Sequence, residues 1–165
     1  MNITVEARQT VSTNVAMALG SDYTHMRRGD APTPHSLLVG SLMVALGNRT
    51  PDSTGLIKGA DGNSRIAMVV GRTLLLSDAL PARQDSRSDY RAAVEVLPAS
   101  CITSLRVENT GDDVFDPFTD TVGRMSTVII TIRDEEFTVP THEYGELLEH
   151  NGTFITSAMR ALELN

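Results

Sequence analysis

Tryptophan is absent from this 165-residue chain, cysteine and lysine occur once each, and the only other aromatic side chains are four Phe and three Tyr. Each scarcity excludes something. With so few rings, a core has to be assembled from Leu, Val, Ile, Met and Ala. A single cysteine, Cys101, rules out an intramolecular disulfide. With Lys58 as the lone lysine, thirteen arginines carry the remaining positive charge, and acidic residues still outnumber them to give a net charge of −7. No basic block is present, so sequence-independent nucleic-acid binding, which rests on neutralising phosphates, is not expected. No apolar run approaches the roughly 20 residues that span a bilayer, so no membrane association is expected. The chain does not open with a charged segment followed by an apolar stretch. A cytoplasmic location is therefore expected, and the N-x-[ST] sequons at Asn2, Asn48 and Asn151 read as chance matches. Phosphate-loop, nucleophile-elbow and zinc-helix patterns (G-x-x-x-x-G-K-[ST], G-x-S-x-G, H-E-x-x-H) are missing, which removes the strong cases for catalysis.

What is present is a soluble-type composition, 41% hydrophobic with a mean hydropathy of −0.09, and a readable order of elements. Ile3, Val5, Ala7 and Val11 alternate with polar residues and predict an opening strand. Thr33-Pro34 is a helix start, a capping hydroxyl followed by Pro at the first helical position. The helix predicted over 34–46 is apolar nearly all round, so it is expected to be buried under a sheet or a partner. Its Ser36, Gly40 and Ser41 form a small-residue patch. Residues 48–64 are rich in turn formers and mark the best boundary, dividing a 1–60 extension from a 61–165 sheet unit. Strand-like runs follow at 65–76, 90–97 and 101–108. Val128, Ile130 and Ile132 then share one face of a strand, a turn at Asp134-Glu135 follows, and 136–139 returns until Pro140 stops the ladder. Thr141 is placed to cap a closing helix with Glu143 and Glu146 in its first turn, broken or bent at Asn151-Gly152. Phe154, Ile155, Ala158, Met159 and Leu162 are spaced as its apolar face. Strands that succeed one another without helices between them predict an α+β fold: an antiparallel sheet closed by a C-terminal helix, with an N-terminal strand and a buried helix.

Candidate chemistry is thin. Cys101 could serve as a nucleophile if a base and a lowered pKa were supplied, or simply fill space in a strand. His142, Glu146 and His150 would align at i, i+4 and i+8 on a continuous helix and could ligate a metal, or form a solvated face. The loop holding Asp112, Asp113, Asp116 and Asp120 lacks calcium-loop spacing. It also holds Phe115 and Phe118, which either tuck onto the sheet or stand as apolar anchors ringed by charge, as in a binding hot spot. Arg83, Arg87 and Arg91, interleaved with Asp85 and Asp89, read as a self-satisfied loop. Arg27-Arg28 is a further anion candidate, and Arg28-Gly29-Asp30 a coincidental tripeptide.

The run 71–78, the run 94–108 and the Phe137-Thr138-Val139-Pro140 strand end followed by a helix together resemble bacterial pleckstrin-homology-like and GRAM-like domains over residues 65–165. That resemblance implies a bent antiparallel sheet capped by one helix and used for binding rather than catalysis. It does not carry lipid binding to a chain with one lysine. The expected function is a non-enzymatic protein-binding or assembly module, without cofactor or metal, that self-associates or binds a protein partner, with a homo-oligomer expected. Phe115, Phe118, Asp112, Asp113 and Asp116 are the expected contact residues. The alternatives are a structural or assembly protein of a phage particle, located in the virion, and a small enzyme using Cys101 or the His142/Glu146/His150 set.

Overall fold

The computed structural model describes residues 4–20, 33–79, 82–83, 90–109, 126–143, 146–147 and 149–163. It opens with a helix, α1 (Val5–Leu19), where alternation predicts a strand. The cap decides the difference. Thr4 is extended and its hydroxyl accepts from the Ala7 N–H at 3.2 Å, Glu6 sits in the positive first turn, and the residues behind it include three alanines, good helix formers. The buried face is Val11, Val15, Ala18 and Leu19, a helical spacing, whereas Val5, the residue on which the alternation relied, is 71% exposed. The second helix, α2 (Pro34–Leu46), matches its expected span, with Thr33 capping Ser36 N–H and Gly47 ending it at φ +65°. Among the described residues it is covered on one side, by α1, the sheet and a residue pair further on in the chain at 90–91. Val44 is 69% exposed, and the Gly40 patch faces open space. The two helices are pinned by a polar contact of 3.2 Å between Ser12 Oγ and His35 Nε2.

A seven-stranded antiparallel sheet follows. Its first four strands are β1 (Ser53–Gly59), β2 (Ser64–Val70), β3 (Thr73–Asp78) and, after a two-strand excursion β4 (Ala82–Arg83) and β5 (Tyr90–Arg91), β6 (Val94–Pro98). The second group is β7 (Ile102–Asn109), β8 (Ser126–Ile132) and β9 (Glu135–Val139). The spatial order is β6-β3-β2-β1-β9-β8-β7. Residues 48–64, expected as a turn-rich boundary, therefore contain the strand that joins the two halves: β1 pairs with β2 along its length and with β9 through Lys58 and Gly59. The apolar run over 65–76 is a hairpin, turning at Gly71 with φ +57°.

This order forces the sheet to curl. In a flat sheet the outer strands β6 and β7 would lie about 29 Å apart at ~4.8 Å per strand. They are joined only by the 3₁₀ turn Ala99–Cys101, and the four Cα steps from Pro98 to Ile102 reach at most about 15 Å. No ladder joins β6 to β7 among the described residues, so the curl is not closed by strand pairing. Instead Arg133, in the β8–β9 turn, donates to Glu95 of β6 at 3.2 Å, and its N–H donates to the Cys101 carbonyl at 3.1 Å.

Two cores result. Outside the curl, α1 and α2 pack on Leu56, Ile66, Met68, Val70 and Leu75. Inside it, Ile57, Val69, Leu74, Leu97, Ile102, Val128, Ile130, Ile132, Phe137 and Val139 enclose the last helix, α3 (Glu149–Glu163), through Phe154, Ala158 and Ala161. Strands β1 to β3 are thus covered on both faces, which explains why 65–76 reads as a continuous apolar run. The outer face of β7 to β9 is polar: Arg106 makes a fork to Glu136 at 2.9 and 3.1 Å, and the Ser104 and Thr131 hydroxyls meet at 2.7 Å. The closing helix starts later than Thr141. Residues 142–147 instead contain the short pair β10 (His142–Glu143) and β11 (Glu146–Leu147), and Asn151 and Gly152 lie inside α3 without breaking it.

Candidate binding groove

Asn151 fixes where α3 sits. Strand β9 pairs with β1 only through Phe137 and Thr138, opposite Gly59 and Lys58, which leaves the Leu56 N–H without a strand partner on that side. The fully buried Asn151 side chain fills the gap, accepting from Leu56 N–H at 2.8 Å and donating to the Pro140 carbonyl at 2.6 Å. Its amide is therefore enclosed in the folded chain, and this sequon offers no accessible glycan acceptor. Three residues on, Phe154 rests on Gly55: a Cβ at that glycine would lie 2.6 Å from Phe154 Cγ. Only glycine allows the ring to seat there, which is why a central strand carries so weak a strand signal.

With Asn151, Phe154, Ala158 and Ala161 directed into the curl, the neighbouring side of α3 is left as one wall of an open groove. Glu149, Gly152, Thr153, Thr156, Ser157 and Arg160 form this wall, and Asp52, Val69, the β2–β3 turn at Gly71 and Arg72, and the corner Pro98 to Ser100 form the other. The groove has a volume of about 980 Å³, at the upper end of the ~300–1,000 Å³ typical of ligand sites. Its width comes from small side chains: at Gly152 a Cβ would meet nothing within 4 Å. The walls are held by backbone. Asp52 accepts from Gly71 N–H at 2.5 Å, Asp52 N–H donates to Val69, and Ala99 N–H donates to the Arg72 carbonyl, both at 2.8 Å.

The polar groups of the groove are complementary in kind. The Thr153 and Thr156 hydroxyls donate to the Glu149 and Gly152 carbonyls at 3.1 and 3.0 Å, which uses their protons and leaves oxygen lone pairs as acceptors. Donors come from arginine. Arg65, Arg106 and Arg133 are each engaged by carboxylates, whereas Arg72 and Arg160 enter no ion pair among the described residues.

The residues singled out from sequence lie elsewhere. Phe115, Phe118, Asp112, Asp113, Asp116 and Asp120 fall outside the described residues, as do Arg27, Arg28, Asp30 and Arg87. Cys101 ends the corner turn half-buried, and burial pushes its thiol above the ordinary range, with Arg133 offsetting part of the effect. That is the reverse of the shift a nucleophilic thiol needs. His142, Glu146 and His150 do not share a helical face: the first two are on the paired strands β10 and β11, and only His150 is on α3. Among the described residues, no group of three or more His, Cys, Asp or Glu side chains is arranged to hold a metal ion, and no helix is long and apolar enough to cross a membrane. The groove residues carry a faint sequence signal, small polar residues at 152, 153, 156 and 157 beside the apolar face of 154, 158 and 161. Reading Asn151-Gly152 as a helix breaker conceals it. No protein-family model matches the chain, and no curated protein matches it.

Proposed function

We propose that this chain is a non-enzymatic protein-binding module whose recognition surface is the groove beside α3. The observation that carries the reading is the groove itself: a preformed, backbone-braced cleft with small side chains on both walls and two arginines without a carboxylate partner among the described residues. A relationship to pleckstrin-homology-like domains is part of the proposal. It draws support from the curled antiparallel meander in which β9 returns to β1 and a final helix lies against the inner face.

Thr156→Trp tests the reading. Thr156 is exposed at the middle of the helix wall, so an indole there fills the groove without entering the core. Random-peptide display on the immobilised chain should enrich binders, and the Trp variant, with a melting temperature within a few degrees of wild type, should lose them. No enrichment, or binders retained equally by the variant, would contradict the proposal.

A further inference from the structure

The shape of the groove restricts what can lie in it. Glu149 and Arg160 stand at opposite ends of the helix wall, eleven residues or about 16 Å apart at 1.5 Å per residue. Along that length the wall offers the Thr153 and Thr156 oxygens, which suit an extended backbone with free N–H groups rather than a helix whose N–H groups are bonded within it. An extended strand fits. About five residues of extended chain cover the same 16 Å.

Charge then gives the strand a direction. Arg160 reaches the groove from the helix and Arg72 from the β2–β3 turn, on opposite walls. The Asp52 carboxylate on the Arg72 side is already engaged by Gly71 N–H. Glu149, at the far end, is in the first turn of α3. Between these poles, the Thr153 and Thr156 oxygens are acceptors for backbone N–H groups.

On the reading that the groove is the recognition surface, we infer that its occupant is an extended peptide segment of a partner protein, with an acidic residue set between Arg72 and Arg160 and a basic residue four to six positions away beside Glu149. Exposed ion pairs contribute modestly one by one, so the ends provide orientation and the backbone contacts provide most of the grip.

Sequencing the display-enriched peptides tests this. They should carry Asp or Glu and Lys or Arg at a separation of four to six. The best of them, titrated against Arg160→Glu, should bind about tenfold more weakly, equivalent to about 1.4 kcal/mol. The triple variant Arg72→Glu/Glu149→Lys/Arg160→Glu should regain affinity for the same peptide with its two charges exchanged. Groove binders that Thr156→Trp abolishes but that show no ordered charge pair would overturn this inference and leave the binding reading standing. Binders indifferent to Thr156→Trp would overturn both. Light scattering that shows a mass doubling abolished by Thr156→Trp would identify the occupant as a second copy and overturn the partner assignment.

Discussion

Phe154→Ala should destabilise the protein by about 3–5 kcal/mol, the range for deleting a fully buried ring. The ring is wholly enclosed and is the largest side chain that α3 contributes to the inner core, so its loss leaves a cavity where the helix meets the middle strand. At roughly 2–4 °C per kcal/mol for a chain of this size, the melting temperature should fall by about 6–20 °C. Gly55→Ala approaches the same contact from the other side, placing a methyl 2.6 Å from Phe154 Cγ. It should cost about 1–3 kcal/mol through overpacking. The double variant should be more stable than the sum of the two losses, because the alanine methyl enters space the ring has vacated. A coupling above about 1 kcal/mol in denaturant titrations is expected. Strict additivity would mean that the ring and the glycine are not in contact.

The second large effect is expected at Asn151. Asn151→Ala removes the side chain that the Leu56 N–H and the Pro140 carbonyl bond to, the first contact buried and the second partly buried. At about 1–3 kcal/mol for the buried N–H left unpaired and about 1 kcal/mol for the part-buried carbonyl, the loss should be about 2–4 kcal/mol. Hydrogen exchange gives the specific readout: the Leu56 amide should lose protection more than its strand neighbour Ile57. Asn151→Asp should not restore stability. It keeps the acceptor for Leu56 but turns a carboxylate oxygen toward the Pro140 carbonyl. An aspartate variant as stable as wild type would show that the amide does not bridge the two groups.

These two residues also show what could be read from the sequence. Elements governed by near neighbours were legible. Thr33-Pro34 and Gly47 bound α2 where expected, and the period-two pattern of Val128, Ile130 and Ile132 gave the buried face of β8. Phe154 and Ala158 lie on the inward face of α3 as their spacing implies. Elements set by distant partners were not legible. Strand β1 looks like a loop because Gly55 is fitted to a ring 99 positions later, and its flank is completed by a side chain 95 positions away. At the opening helix, alternation over a few residues competes with capping, and the Thr4 cap settles it. The groove escaped altogether. Its walls come from residues 52, 69–72, 98–100 and 149–161, brought together only when a three-residue corner bends the sheet.

Amide chemical-shift mapping tests the binding account most directly. On titration with a display-enriched peptide, the resonances of Gly71, Arg72, Ala99, Ser100, Thr153, Thr156 and Arg160 should move together along one binding curve, while those of α1 and α2 stay in place. Shifts confined to the α1–α2 face or to the outer face of β7 and β8, with the groove amides unmoved at saturation, would contradict the assignment of the groove as the recognition surface.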